Sequence, residues 1–108
     1  MRLYCGIDLH SNNSYVVVLD EQDGVVYRRR LRNDLGLVLQ ELAPFAGQLV
    51  GIAVESTFNW YWLVDGLMEA GYRVHLANPG STVRSRSRIQ EVDMPSSIHK
   101  WRNILKND

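Results

Sequence analysis

The sequence Tyr4-Cys5-Gly6-Ile7-Asp8-Leu9-His10-Ser11 is an apolar run interrupted by one carboxylate, and it decides how the rest of the chain is interpreted. An acidic side chain at the end of a buried strand costs free energy unless a partner neutralises it. A second apolar run, Val50-Gly51-Ile52-Ala53-Val54-Glu55, repeats the arrangement. If the two strands are neighbours, Asp8 and Glu55 emerge at the same edge of a sheet.

Two chemical interpretations of this pair stay open from the residues alone. Two ionised carboxylates about 4 Å apart repel by roughly 4 kcal/mol at an effective dielectric constant of 20, so a cation between them is stabilising. Mg²⁺ prefers oxygen ligands, and two or three carboxylates hold it against a phosphate. Alternatively, Asp8 and Glu55 are strand-end residues that accept hydrogen bonds from a loop or a helix N-terminus. His10 is expected to be a hydrogen-bonding loop residue rather than a metal ligand.

The composition is that of one ordinary globular domain, with 108 residues, 45% of them hydrophobic and 22% charged. No run approaches the roughly 18 apolar residues of a membrane helix, and the N-terminus lacks a signal-peptide pattern. We therefore expect no membrane partner. The single cysteine, Cys5, cannot form an internal disulfide, which favours the reducing cytoplasm. The formal net charge is zero, so charge alone does not indicate a nucleic-acid binder.

Hydrophobic alternation predicts an antiparallel meander at the start of the chain. The predicted turns are Asn12-Asn13 and Asp23-Gly24, the latter a strong hairpin signal. The predicted strands are Leu3–Asp8, Ser14–Leu19 and Val25–Leu31.

Two helices and two further strands are predicted after the meander. The first helix begins at a cap, Asn33 or Asp34, and ends at Pro44. The second has Ser56 or Thr57 as its cap and Gly71 after its end. The helical apolar stripes are Leu35, Val38, Leu39, Leu42 and Trp60, Leu63, Val64, Leu67, Met68, and the strands are Leu49–Glu55 and Tyr72–Ala77. Because strand–helix–strand units cross over between parallel strands, the fold class is α/β, a mixed sheet of order βββαβαβ with helices packed on it.

The segment after Pro79 changes character. Residues 80–88 contain three arginines and no apolar period, which indicates a basic, flexible tail. One weak amphipathic helix is predicted around Ile98–Leu105. We therefore expect a core over residues 1–79 and a divergent basic tail over residues 80–108.

Three blocks of the sequence together resemble one family. They are Tyr4–His10, the block Val54-Glu55-Ser56-Thr57 running into Asn59-Trp60-Tyr61-Trp62, and His75-Leu76-Ala77-Asn78-Pro79. Over residues 1–79 the chain resembles the N-terminal domain of the DEDD transposases of insertion sequences. These are related to the pilin-gene invertase Piv and include bridge-RNA-guided recombinases. The resemblance implies a ribonuclease-H-like, RuvC-type fold.

The resemblance also implies a function, ligands and partners. It implies Mg²⁺-dependent cleavage and strand transfer in DNA transposition, with Mn²⁺ as an alternative ion. It makes Asp8 the first and Glu55 the second member of an Asp-Glu-Asp-Asp tetrad, and Asp93 stands for the third. The implied partners are DNA, a guide RNA and full-length family members in a homo-oligomer.

The C-terminal segment departs from the family pattern. The family's last two acids form an Asp-x-x-Asp pair on one face of a helix. Here Asp93 is followed by Met94-Pro95-Ser96, proline is disfavoured inside a helix, and the fourth acid is missing. The family's later domain with a nucleophilic serine is also missing before Asp108. We therefore expect a truncated copy that is inactive as an independent catalyst.

Arginines concentrate on the third predicted strand, where Arg28 and Arg30 alternate onto one face and Arg32 follows. One interpretation is that Arg28, Arg30 and Arg32 contact the phosphates of DNA or RNA. The other is a charged edge strand that resists aggregation.

Two rival functions follow from the same motifs. Gly6-Ile7-Asp8 followed by a hairpin with Asp23-Gly24 is similar to the first phosphate-binding segment of actin-like kinases. Those kinases place Gly-Thr after the aspartate, whereas this chain has Leu9-His10. The third hypothesis is a non-catalytic module that only binds nucleic acid or dimerises through an exposed face at Trp62.

Overall fold

The computed structural model describes residues 1–56, 59–77 and 90–92. The strands are β1 Leu3–Leu9, β2 Asn13–Leu19, β3 Val25–Arg32, β4 Leu49–Glu55, β5 Val74–Ala77 and β6 Gln90–Val92. The helices are α1 Leu35–Leu42, a 3₁₀ turn Ala43–Phe45 and α2 Tyr61–Glu69. The predicted order βββαβαβ is confirmed, and β6 is an addition that the sequence did not predict.

The six strands form one mixed sheet in the order β3-β2-β1-β4-β5-β6. The meander β1–β2–β3 is antiparallel, whereas β1, β4, β5 and β6 run parallel to one another. Strand β1 is therefore the seam where the antiparallel and parallel parts of the sheet join. The carboxyl ends of β1 and β4 lie side by side at one edge.

One face of the sheet, called here the helix face, packs against α1 and α2. Alternate residues of the strands point to this face, as a period of two requires. Burying each Leu, Ile or Val side chain stabilises the fold by about 1.5–3 kcal/mol. The core combines strand residues Leu3, Cys5, Ile7, Leu9, Val16, Val18, Leu31, Ile52, Val54, Val74 and Leu76 with helix residues Val38, Leu42, Leu63, Val64 and Leu67.

Helix α1 begins and ends as its sequence predicts. Of the two predicted caps, Asp34 occupies the N-cap position, where its side chain accepts a hydrogen bond from the Leu37 N–H at 3.2 Å. Asn33 does not cap the helix, because its side chain contacts the β1–β2 turn instead. The α-helix stops at Leu42, and Pro44 lies in the 3₁₀ turn that follows.

Helix α2 has a different N-terminus from the predicted one. Its N-cap position is Trp60, with no side-chain cap, so the prediction of Ser56 is wrong; Thr57 lies outside the described residues. Trp60 takes that position because its ring is buried in the core, so packing rather than capping determines where α2 begins.

The C-terminus of α2 is closed by Gly71, as predicted. Gly71 has φ +100°, a left-handed conformation that glycine adopts without strain. The Gly71 N–H donates to the Met68 carbonyl at 3.0 Å, and the Tyr72 N–H donates to the Leu67 carbonyl at 3.1 Å. This is the Schellman pattern. Since it uses Tyr72 to end the helix, β5 begins at Val74 and not at Tyr72 as predicted.

Asp20 organises the predicted hairpin turn between β2 and β3. Its Oδ1 accepts hydrogen bonds from the N–H groups of Gln22 and Gly24, each at 2.8 Å. Asp23 adopts the left-handed φ of 67°. A Cβ on Gly24 would lie 2.7 Å from Asp20 Oδ2, so a larger residue at this position would require the Asp20 side chain to shift.

Several predictions fall on residues that the structure does not describe. They concern Asn78-Pro79, the arginines of residues 80–88, the helix around residues 98–105 and the boundary at residue 79. Among the residues described, neither helix has the length and apolar character that crossing a membrane requires.

Candidate functional site

Strands β1 and β4 bring Asp8 and Glu55 directly beside each other. The two residues are register partners in the parallel pair, at the last rungs of both strands. Neighbouring strands lie about 4.8 Å apart, and register partners point to the same face. Both carboxylates therefore lie on the face of the sheet opposite the helices, called here the site face. The expectation that they meet at one edge is confirmed.

The two carboxylates repel each other, and this repulsion contributes to a raised pKa of Glu55. The pKa of Glu55 is raised, first because burial disfavours its charged form and second because of the negative charge of Asp8. The charge of His10 acts on this pKa in the opposite direction. The Asp8 side chain is 38% exposed, so the pair lies at the surface and is accessible to a ligand. Such a pair is a site for a cation or for one shared proton.

The raised pKa of Glu55 predicts that, without metal, the charge of Glu55 lowers the free energy of unfolding at neutral pH. A carboxyl with a raised folded-state pKa destabilises the fold above that pKa, and the penalty disappears as the pH falls below the unfolded-state pKa. In EDTA, Glu55→Gln should therefore raise the free energy of unfolding at pH 8, and the gain should shrink towards pH 4.

Urea denaturation of both proteins at the two pH values measures this difference. The exposed Glu69→Gln at the end of α2 is the control, and the pH-dependent gain of Glu55→Gln should exceed that of Glu69→Gln. A Glu55→Gln protein that is less stable than the wild type at pH 8 would contradict the electrostatic account.

The turn that follows Asp8 is held by residues far away in the sequence. His10 Nε2 lies 3.2 Å from Asp8 Oδ2, so the two side chains are in contact. That His10 is a hydrogen-bonding loop residue rather than a metal ligand stays a prediction. The Asn33 amide donates to the carbonyls of His10 at 2.7 Å and Ser11 at 3.3 Å. Asn33 Oδ1 accepts from the hydroxyl of the buried Ser14 at 2.6 Å. The end of β3 thus fixes the backbone that carries His10.

The carboxylates belong to one transverse row that crosses the whole sheet. Its members are consecutive register partners, and we call it the carboxylate row: Arg30, Tyr15, Asp8, Glu55, Ala77 and Val92. Tyr15 is the partner of Asp8 on β2, and Arg30 is the partner of Tyr15 on β3. The Arg30 guanidinium carbon lies 5.5 Å from the centroid of the Tyr15 ring, within the range of a cation–π contact. Tyr15 was not predicted as a site residue, although it alternates onto the same face of the predicted second strand as Val17.

Arg28, Arg30 and Arg32 share the site face with the carboxylates. Their register partners on β2 are Val17, Tyr15 and Asn13, whose positions alternate onto that face. Arg32 Nη2 lies 3.8 Å from Asp34 Oδ2. The predicted placement of Arg28 and Arg30 on one face of an edge strand is confirmed.

Arg29 belongs to the opposite face, where it contacts α1. Its Nη1 lies 3.4 Å from Glu41 Oε1, which also accepts a hydrogen bond from the Tyr27 hydroxyl at 2.6 Å. Burial and the Glu41 carboxylate raise the pKa of Tyr27 to about 12. Arg29 is therefore a structural residue of the β3–α1 contact.

The third predicted ligand, Asp93, lies outside the described residues. Strand β6 pairs with β5 and ends at Val92, in the carboxylate row. Asp93 is the residue after Val92 in the sequence. Within the described part of the chain, no group of three or more His, Cys, Asp or Glu side chains could hold a metal ion.

Comparison with known proteins identifies the fold and not a family. No protein-family model matches the chain, and no curated protein matches it either. RuvC of T. thermophilus, solved in complex with a Holliday junction substrate, aligns with a TM-score of 0.60 and 16% identity over 73% of this chain and 66% of that chain. Pelota of Archaeoglobus fulgidus aligns with a TM-score of 0.50 and 17% identity over 99% of this chain and 32% of that chain. At such low identity the likeness is one of fold, and the protein has the ribonuclease-H-like, RuvC-type fold that its sequence predicted.

Proposed function

We propose that this chain is the N-terminal part of the catalytic domain of a DEDD-type transposase, with a divalent metal ion bound by Asp8 and Glu55 for cleavage and strand transfer on DNA. The register of the two carboxylates supports this function most directly. The sequence blocks around Asp8 and Glu55 support the transposase family in particular. Mg²⁺ is the proposed ion, and Mn²⁺ takes the same ligands.

The donor set fits such an ion. Mg²⁺ is commonly held by one or two carboxylates together with waters and substrate phosphates, so the Asp8–Glu55 pair is sufficient for a first contact. Burial is the larger cause of the raised pKa of Glu55 and the charge of Asp8 the smaller one, and a cation between the carboxylates would offset the repulsion from Asp8. When bound, the metal would polarise a phosphoryl oxygen and stabilise the charge that develops on it. His10 orients the Asp8 carboxylate through its contact with Oδ2.

Asp93 is the proposed third ligand. It follows directly after β6, whose last residue belongs to the carboxylate row. No acid follows at the spacing of an Asp-x-x-Asp pair. We propose that Asp8, Glu55 and Asp93 bind the metal and that turnover of substrate requires a fourth ligand.

Metal-dependent stability tests the proposal. An ion that binds only the folded state stabilises it by about 2.7 kcal/mol at a concentration of 100 times Kd. Mn²⁺ or Mg²⁺ should therefore raise the Tm of the wild type, and Asp8→Asn and Glu55→Gln should each abolish the rise. Glu69→Gln, an exposed carboxylate on α2, is the control that should keep it. If neither Mn²⁺ nor Mg²⁺ changed the Tm of the wild type, the metal function would be overturned.

A non-catalytic nucleic-acid-binding module is the second candidate. The arrangement of Arg28, Arg30 and Arg32 on one face favours it. It predicts salt-dependent binding of DNA or RNA that survives Asp8→Asn, without any response of the Tm to metal. Stabilisation by ATP, and not by DNA or RNA, would instead favour the kinase-like function.

A further inference from the structure

Arg30 is held in a fixed position by two neighbours on β2. Its Nη1 donates a hydrogen bond to Asn13 Oδ1 at 3.0 Å, and its guanidinium carbon lies 5.5 Å from the centroid of the Tyr15 ring. Both partners are uncharged, so these contacts orient the guanidinium without neutralising it. An arginine stacked on an aromatic ring keeps N–H groups free for a second acceptor, and phosphate is the acceptor that its fork-shaped geometry fits best.

We propose that Arg30, positioned by Tyr15 and Asn13, binds a phosphate of a nucleic-acid strand that crosses the sheet along the carboxylate row. This inference rests on the proposed function, because it gives that site its substrate path. The strand would run from the carboxylates on β1 and β4 across Tyr15 to Arg30 on β3. The ligand is the phosphodiester backbone, and its sequence is not read by these contacts.

The spacing of the sheet sets which phosphate Arg30 meets. Strands lie about 4.8 Å apart, so the Cα atoms of Asp8 and Arg30 are separated by roughly 10 Å across two strand spacings. A stacked strand rises 3.4 Å per nucleotide, so that span corresponds to about three nucleotides. Arg30 would therefore contact a phosphate about three nucleotides away from the nucleotide at the carboxylates. A cation there offsets the repulsion that two carboxylates exert on a polyanion.

Arg29 and Arg32 differ from Arg30 in their charge partners. Arg29 lies on the helix face beside Glu41, which partly neutralises it. Arg32 lies 3.8 Å from the carboxylate of Asp34. Arg30 combines the site face, the carboxylate row and uncharged partners. Arg29 is consequently a matched control on the same strand.

Salt-dependent binding tests this contact on the full chain. The probe is a fluorescent single-stranded DNA oligonucleotide, measured by anisotropy between 50 and 200 mM salt, once in EDTA and once with a fixed concentration of Mn²⁺. One lost phosphate contact on a single strand reduces the slope of log K against log salt by about 0.7, which is roughly fivefold in affinity at 0.1 M salt. Arg30→Gln should show this loss, and Arg29→Gln should bind as the wild type does.

The role of Tyr15 is tested by its conservative variant. Tyr15→Phe keeps the ring beneath the guanidinium and should bind like the wild type. Tyr15→Leu should weaken binding, and adding it to Arg30→Gln should weaken binding no further, because Tyr15 acts through Arg30. Repeating the series with an RNA oligonucleotide of the same sequence identifies which backbone binds more tightly, and either supports the contact.

The outcomes separate this contact from the metal site. Equal slopes for Arg30→Gln, Arg29→Gln and the wild type would overturn the phosphate contact, as would a wild type that binds neither oligonucleotide. If Mn²⁺ still raised the Tm in that case, the proposed function would stand without this substrate path. If Mn²⁺ left the Tm unchanged while Arg30→Gln reduced the slope of log K against log salt, the metal function would fail. The phosphate contact at Arg30 would remain.

Discussion

Replacing Asn33 with alanine is expected to lower the free energy of unfolding by about 2–3 kcal/mol, although Asn33 belongs to neither the core nor a helix cap. The change removes the acceptor of the Ser14 hydroxyl, which is fully buried, and an unpaired buried polar group is costly. It also removes the donor that binds the carbonyls of His10 and Ser11. Urea denaturation measures the loss.

Asn33→Asp separates the two roles of the Asn33 side chain, as acceptor from Ser14 and as donor to the β1–β2 turn. An aspartate still accepts a hydrogen bond from Ser14, but its second carboxylate oxygen replaces the amide donor beside the two carbonyls, and two acceptors repel each other. At neutral pH its loss should therefore be at least as large as that of Asn33→Ala. Because the turn holds His10 against Asp8, both variants should also require more Mn²⁺ to reach a given rise in Tm. An alanine variant as stable as the wild type would show that this network contributes nothing.

Replacing Ile7 with alanine is expected to cost about 2–5 kcal/mol, a large part of the total stability of a small domain. Ile7 is completely buried on the helix face of the central strand β1, and the truncation leaves a cavity there. Ile7→Val should cost only about 0.5–1.5 kcal/mol. Denaturant titration of the two variants provides this comparison.

The same variant tests whether the two faces of β1 act independently. Ile7 and Asp8 are adjacent in the sequence, but their side chains lie on opposite faces of the sheet. Ile7→Ala should therefore keep the full Mn²⁺ response of the Tm while its stability falls. Loss of the response in a protein that is still folded would mean that helix-face packing controls the site.

Much of the fold could be predicted because its signals are local. The alternation of residues 3–31 predicted three strands, the stripes from Leu35 and Trp60 predicted both helices, and Gly71 marked a helix end. Alternation also predicted that Arg28 and Arg30 share a face. Asp8 and Glu55 were predicted to meet at one edge if their strands were neighbours, and the pairing of β1 with β4 fulfils that condition.

The remaining features depend on contacts between distant residues. Strand β6, Gln-Glu-Val, has no apolar alternation, and it exists through backbone pairing with β5. Asn33 had the composition of a helix cap, and its contacts with the β1–β2 turn depend on how β3 lies beside β2. Trp60 displaced the predicted cap of α2 because its ring packs in the core. The role of Asp93 stays a prediction.

The carboxylate pair is also linked to folding, because it forms only when β1 and β4 pair. Asp8 comes from the antiparallel meander and Glu55 from the first parallel strand, and within the described sheet the β1–β4 pairing places them side by side. This pairing closes a long stretch of chain, so it is a non-local contact of the kind that slows folding. A chain with an unformed seam has two separate carboxylates and no binding pair. A bound cation would therefore stabilise the pairing of β1 with β4, because it binds only the state in which the two carboxylates lie together.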